Sequence, residues 1–144
     1  MAIEVSINEH TKADYFDATF AKFPDLEKSI LDDFIRYKST DELPSYFGCD
    51  VAYTQPEGAR KSGMMHIHLK LPPAEFPKNK PQADRKCANG DPENDACLVY
   101  VRGVLYEDRY SLLAIFNPDA HGIARDHRVM NYLSRVAQHF VDNN

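Results

Sequence analysis

Nothing in this 144-residue chain approaches the ~20 consecutive apolar residues that a membrane-crossing helix needs. Its first residues, Met1-Ala2-Ile3-Glu4-Val5, lack a basic stretch leading into an apolar one, so neither a span nor a secretory leader is expected and the expected location is the cytoplasm. Cysteine is scarce as well. Cys49, Cys87 and Cys97 are odd in number and show no Cys-x-x-Cys or zinc-ribbon spacing, which argues against a disulfide framework and a structural zinc site. Internal repeats and long low-complexity runs are absent. The length suits one domain, expected to span residues 1–144, and a chain of this size buries ~70% of its unfolded surface.

Charge is present but uneven. The formal net charge is −5. Residues 1–59 carry 5 basic and 12 acidic side chains, whereas residues 60–86 carry 7 basic and 2 acidic. The basic side of the balance returns in residues 121–144, and these two positive segments hold five of the six histidines. A local basic patch on an acidic chain can meet a polyanion, because local potential governs contact. The plainer alternative is that lysines keep the loop at 72–95 soluble.

Ile3-Glu4-Val5-Ser6-Ile7 alternates as a short strand. Thr11-x-x-Asp14 resembles a capping box ahead of an aromatic-rich helix with Tyr15, Phe16 and Phe20, which Pro24 stops. Asp25 can cap a second helix whose apolar residues Leu26, Ile30, Leu31, Phe34 and Ile35 recur at helical spacing. Residues 41–63 read as irregular, punctuated by Pro44, Gly48, Pro56, Gly58 and Gly63. Met64-Met65-His66-Ile67-His68-Leu69-Lys70-Leu71 then alternates strictly, with Met65, Ile67, Leu69 and Leu71 on one face and His66, His68 and Lys70 on the other. After a long Pro- and Lys-rich loop, Cys97–Val101 and Tyr110–Phe116 read as a hairpin whose second strand is apolar on both faces. Val129, Leu133, Val136 and Phe140 mark a C-terminal helix with Arg125, Arg128 and Arg135 on or beside its polar side. The expected fold is α+β with a mainly antiparallel sheet, in the order β-α-α-β-β-β-α. Its apolar face should pack on the two N-terminal helices and leave His66, His68 and Lys70 on an open concave face.

Six fragments, in order, resemble one family. They are Asp33-Phe34-Ile35-x-Tyr37-Lys38, Leu43-Pro44-x-x-Phe47-Gly48-x-Asp50, His66-Ile67-His68-Leu69, Leu98-Val99-Tyr100, Leu112-Leu113-x-Ile115 and His121-x-x-Ala124-Arg125-Asp126. Together they are similar to the YafO-type toxins of bacterial type II toxin–antitoxin pairs, over about Asp33 to Phe140. The resemblance implies an mRNA interferase that cleaves message on translating ribosomes, uses no metal or other cofactor, and is neutralised by a cognate antitoxin. Its partners would thus be the antitoxin, the ribosome and mRNA, with no membrane. The element order also resembles the broader RelE/ParE toxin fold. Cys97 stands where the family pattern commonly carries a histidine.

Cleaving RNA through its own 2′-hydroxyl needs a base, an acid and a cation facing the phosphorane-like transition state. Histidine titrates near neutrality, so His66, His68 and His121 are the candidate proton carriers. Arg125 is the candidate phosphate clamp, because a guanidinium donates two parallel hydrogen bonds. A phosphate beside it would also meet the amides that open the last helix. Lys70 and Arg128 are candidate phosphate contacts, and Tyr100, if it faces the histidine strand, could stack a base. Asp126 could cap the last helix or orient a histidine. Two other readings stay open. His66, His68 and His121 could form a three-histidine metal site with an open position for water, or the chain could be a catalytically silent binding module.

Overall fold

A computed structural model describes residues 2–144, and it builds one five-stranded sheet between two layers of helices. Strand β1 (Glu4–Ile7) is followed by helices α1 (Lys12–Tyr15), α2 (Asp17–Lys22) and α3 (Leu26–Thr40). Strand β2 (Phe47–Ala52), helix α4 (Glu57–Ser62) and strand β3 (Met65–Leu69) come next. Strands β4 (Ala96–Arg102) and β5 (Arg109–Phe116) lead into helices α5 (Ala120–Ala124) and α6 (His127–Asn143). The strand order is β1-β5-β4-β3-β2; β1 runs parallel to β5 and every other pair is antiparallel.

The α+β class and mainly antiparallel sheet match expectation, but the element order is fuller. The stretch 41–63 is not irregular: it contains β2 and α4. Gly48 and Asp50 hide the strand in the sequence, and the pairing of β2 with β3 is itself irregular between Phe47 and Asp50. Gly48 is required there because the loop after β3 crosses its face. A Cβ at that position would collide with the Arg85 carbonyl and lie 2.8 Å from the Phe76 ring. The helix at 120–124 was also unforeseen. At the N-terminus, Thr11 does not close a capping box; its hydroxyl donates to the Asn8 carbonyl (3.4 Å) instead. The aromatic helix accordingly breaks at Phe16 into two short pieces. Asp25 precedes α3 without making a side-chain cap bond.

Two cores hold the sheet. On one face, Leu26, Ile30 and Phe34 of α3 form a stripe at four-residue spacing and bury against Phe47, Ile67, Leu69, Leu98, Tyr100 and Leu112, with Phe16 and Phe20 beside them. On the other, Met130, Leu133 and Ala137 of α6 pack on Val99, Val101, Leu113, Ala114 and Phe116. Strand β5 is buried along both faces, as its unbroken apolar run predicts. The histidine-bearing face is therefore not open. Helices α4, α5 and α6 cover it, because the amphipathic C-terminal helix needs an apolar surface and takes this one. What remains uncovered is a pocket at one end.

Candidate functional site

The pocket has a volume of about 300 Å³ and is lined by His66 and His68 of β3, Cys97 and Asp95 at the start of β4, Tyr53 and Gln55 beyond β2, and His121 and Arg125 around α5. All four expected catalytic residues thus reach one cavity from two segments far apart in the chain. Strand alternation delivers the first two. His66 pairs opposite Val99 and His68 opposite Cys97, so both imidazoles lie on the face that α6 covers. Their ring centroids are 5.7 Å apart, and His121 lies 5.8 Å from His68.

Each imidazole is held differently. His66 stacks on Tyr53 at 4.0 Å with rings 14° from parallel. Its Nδ1 is buried without a hydrogen-bond partner. Burial first, then the charges of His68 and His121, push its pKa down to about 4, so the ring is neutral at physiological pH. His68 is buried and its Nδ1 accepts the backbone N–H of Cys87 (2.9 Å). Burial and the neighbouring His121 charge push it below its ordinary value too. His121 turns Nδ1 toward Asp95 Oδ2 at 2.7 Å, and the same oxygen accepts the His121 backbone N–H (2.8 Å). Asp95 is 1% exposed, so this carboxylate sits behind the ring rather than in solvent. Cys97 is a poor nucleophile. Burial raises its thiol to about 12, and its sulfur sits 3.7 Å from the Tyr53 hydroxyl.

The loop before β4 builds much of this site. Arg85, buried, donates from Nε to the Lys80 carbonyl (2.9 Å) and from its other nitrogens to the carbonyls of Lys78 (3.3 Å) and Phe47 (3.4 Å). This fixes the segment that presents the Cys87 amide to His68. The basic stretch at 60–86 is consequently less of a patch than its composition suggests. Arg60 and Lys61 pair with Glu57, and Lys70 lies 5.3 Å over the Phe76 ring.

Three expected contacts fall outside the pocket. Lys70 follows the end of β3 and is engaged with Phe76. Tyr100 pairs opposite Met65, one residue out of phase with the histidines, so it faces the α3 core and cannot stack a base in the pocket. Its hydroxyl donates to Asp50 (2.8 Å), which also accepts from Tyr37 (2.7 Å) and Lys38 (3.2 Å). Arg128 is exposed on the first turn of α6, three residues beyond Arg125 but not in the lining. Asp126 caps α6, accepting from the amides of Arg128 (3.0 Å) and Val129 (3.4 Å). That carboxylate occupies the amides a phosphate was expected to use. Asp95 and Tyr53 were missed; only their place in the fold, not any local motif, marks them. Among the described residues, no group of three His, Cys, Asp or Glu side chains is arranged to hold a metal ion.

A compact set of imidazoles with one buried carboxylate and one exposed guanidinium defines an acid–base site suited to an anionic substrate. The chain belongs to the YafO toxins of type II toxin–antitoxin systems, whose family model matches residues 35–142. The matched span runs from within α3 to α6 and contains every residue of the pocket. The mRNA interferase toxin YafO of Escherichia coli (strain K12) is 34% identical over 112 residues, covering 75% of this chain and 80% of that protein. Comparison with solved structures gives no match. Among the described residues, no helix is long and apolar enough to cross a membrane.

Proposed function

We propose that this toxin is an endoribonuclease that cleaves translated mRNA on the ribosome, inhibits protein synthesis and is neutralised by a cognate antitoxin, the whole chain acting as one domain in the cytoplasm. The observation that carries the reading is the convergence of His66, His68, His121 and Arg125 on one pocket. Family membership and the printed name of the Escherichia coli relative support the same activity.

In this reaction the 2′-oxygen attacks the adjacent phosphorus, the bond to the 5′-oxygen breaks, and a 2′,3′-cyclic phosphate and a 5′-hydroxyl result. The imidazoles supply proton transfer and hydrogen bonds, and Arg125 offsets the charge that gathers on the phosphoryl oxygens. Arg128, one turn outward, serves as a secondary phosphate contact on the approaching strand. A pocket of this size takes one nucleotide's reacting group rather than a folded duplex, consistent with a single-stranded message presented by the ribosome.

The test is cleavage of a translated message in a ribosome-containing extract. Arg125→Ala should lower the rate ~10²-fold or more, the usual effect of removing a group aimed at developing charge. Both Arg125→Ala and His66→Ala should keep the wild-type circular dichroism. Near wild-type cleavage by both variants would overturn the site.

A further inference from the structure

The pocket's imidazoles are distinguished by what holds their inner nitrogen. A backbone amide can only donate. The Cys87 N–H on His68 Nδ1 therefore requires a lone pair there and places the single proton of that ring on Nε2. An ionised carboxylate can only accept. Asp95 Oδ2, 2.7 Å from His121 Nδ1 and already accepting the His121 backbone N–H, is placed to accept a proton carried on Nδ1, which leaves Nε2 of the neutral ring with its lone pair. Two adjacent rings, 5.8 Å apart, thus present opposite functions at their outer nitrogens: a fixed donor on His68 and a fixed acceptor on His121. His66 is aligned by stacking on Tyr53 rather than by any such bond.

We infer that His121 is the base of the reaction, with Asp95 as its positioning residue, and that His68 is a neutral hydrogen-bond donor to a phosphoryl oxygen, positioned by the Cys87 amide. The assignment rests on the ribonuclease reading above. The 2′-hydroxyl proton passes to His121 Nε2 as the bond from O2′ to phosphorus forms. The bond to O5′ breaks, and the departing oxygen takes a proton from water. The hydroxide so produced recovers the proton from His121. His68 keeps its proton throughout, because a neutral imidazole is a good hydrogen-bond donor but a very weak acid. Asp95 holds the His121 tautomer and faces the charge the ring carries once protonated. Its place behind the ring is secured twice more. It accepts the His121 amide, and its own carbonyl accepts the Ala120 N–H (3.0 Å), so the start of α5 and the start of β4 are tied at this residue.

Two measurements test the assignment. Long-range proton–nitrogen spectra of the ¹⁵N-labelled protein at neutral pH should show the proton of His121 on Nδ1 and that of His68 on Nε2; the opposite tautomer on either ring overturns it. Single-turnover cleavage on programmed ribosomes should fall ~10³-fold in Asp95→Asn, whose amide favours the wrong tautomer, with the half-saturating protein concentration unchanged. Asp95→Asn should cost nothing further in a His121→Ala background. If Asp95→Asn fails circular dichroism, His121→Gln takes its place, since that side chain is one-third exposed and its removal spares the core. Full cleavage by a folded Asp95→Asn or His121→Gln overturns the base role alone. A wild-type protein that cleaves no message overturns the ribonuclease reading instead.

Discussion

Protonating His66 places charge on a half-buried ring that is poorly solvated, and the cost should be visible as acid instability. The ring's pKa is about 4 in the folded chain, against an ordinary value of 6.5. Burial is the main cause; His68 and His121 add to it, while Asp50 opposes it. The folded state therefore binds fewer protons than the unfolded one between those values. Stability at this residue is complete above pH ~6.5, declines as pH falls, and is fully lost below pH ~4. Between pH 7 and pH 5 the linkage amounts to about 2 kcal/mol, since each unit of pKa difference is worth ~1.4 kcal/mol. His66→Phe keeps a ring against Tyr53 and removes the titration. Urea unfolding at pH 7 and pH 5 should show the wild type losing about 2 kcal/mol more than His66→Phe over that interval. Equal losses in the two proteins would refute a half-buried, neutral His66.

Three further outcomes follow from single contacts. Asp126→Ala removes the cap of α6 and should lower stability by about 1 kcal/mol in the same unfolding assay. Tyr100→Phe takes one donor from the buried Asp50 carboxylate, which keeps Tyr37 and Lys38; a loss of about 1.5 kcal/mol is expected, with message cleavage retained because the hydroxyl faces away from the pocket. Gly48→Ala pushes a methyl into the Arg85 carbonyl and the Phe76 ring, so it should cost about 1–3 kcal/mol and lower cleavage by shifting the loop that holds His68.

Periodicity carried most of what the sequence disclosed. The alternation at 65–69 put His66 and His68 on one face, and the stripe of α3 located the core on the other; of the α6 stripe read from sequence, only Leu133 is fully buried. Alternation also contained the correction for Tyr100, whose position opposite Met65 depends on a cross-strand register that local pattern does not specify. Strand β2 was illegible because its Gly48 and Asp50 serve neighbours, a crossing loop and the Tyr37 and Tyr100 hydroxyls, rather than strand propensity. The closed histidine face was misjudged for a related reason: an apolar helix stripe shows that a surface must be covered, not which surface. Asp95 illustrates the limit. A single carboxylate at a strand start resembles any loop acid until the turn at α5 brings His121 to it.

The parallel pairing of β1 with β5 sets the order in which the molecule can be assembled during synthesis. Glu4 is matched with Arg109 and Ile7 with Leu112. At ~5–20 residues per second, the first strand leaves the peptidyl-transferase centre some 5–20 seconds before its partner exists. Through that interval β1 has no partner strand, and neither His121 nor Arg125 has been made. A ribosome producing this toxin therefore carries a chain whose pocket is open on one side until His121 and Arg125 have been added. The pocket is completed only after β5, and the segment from β1 to α3 emerges well before it.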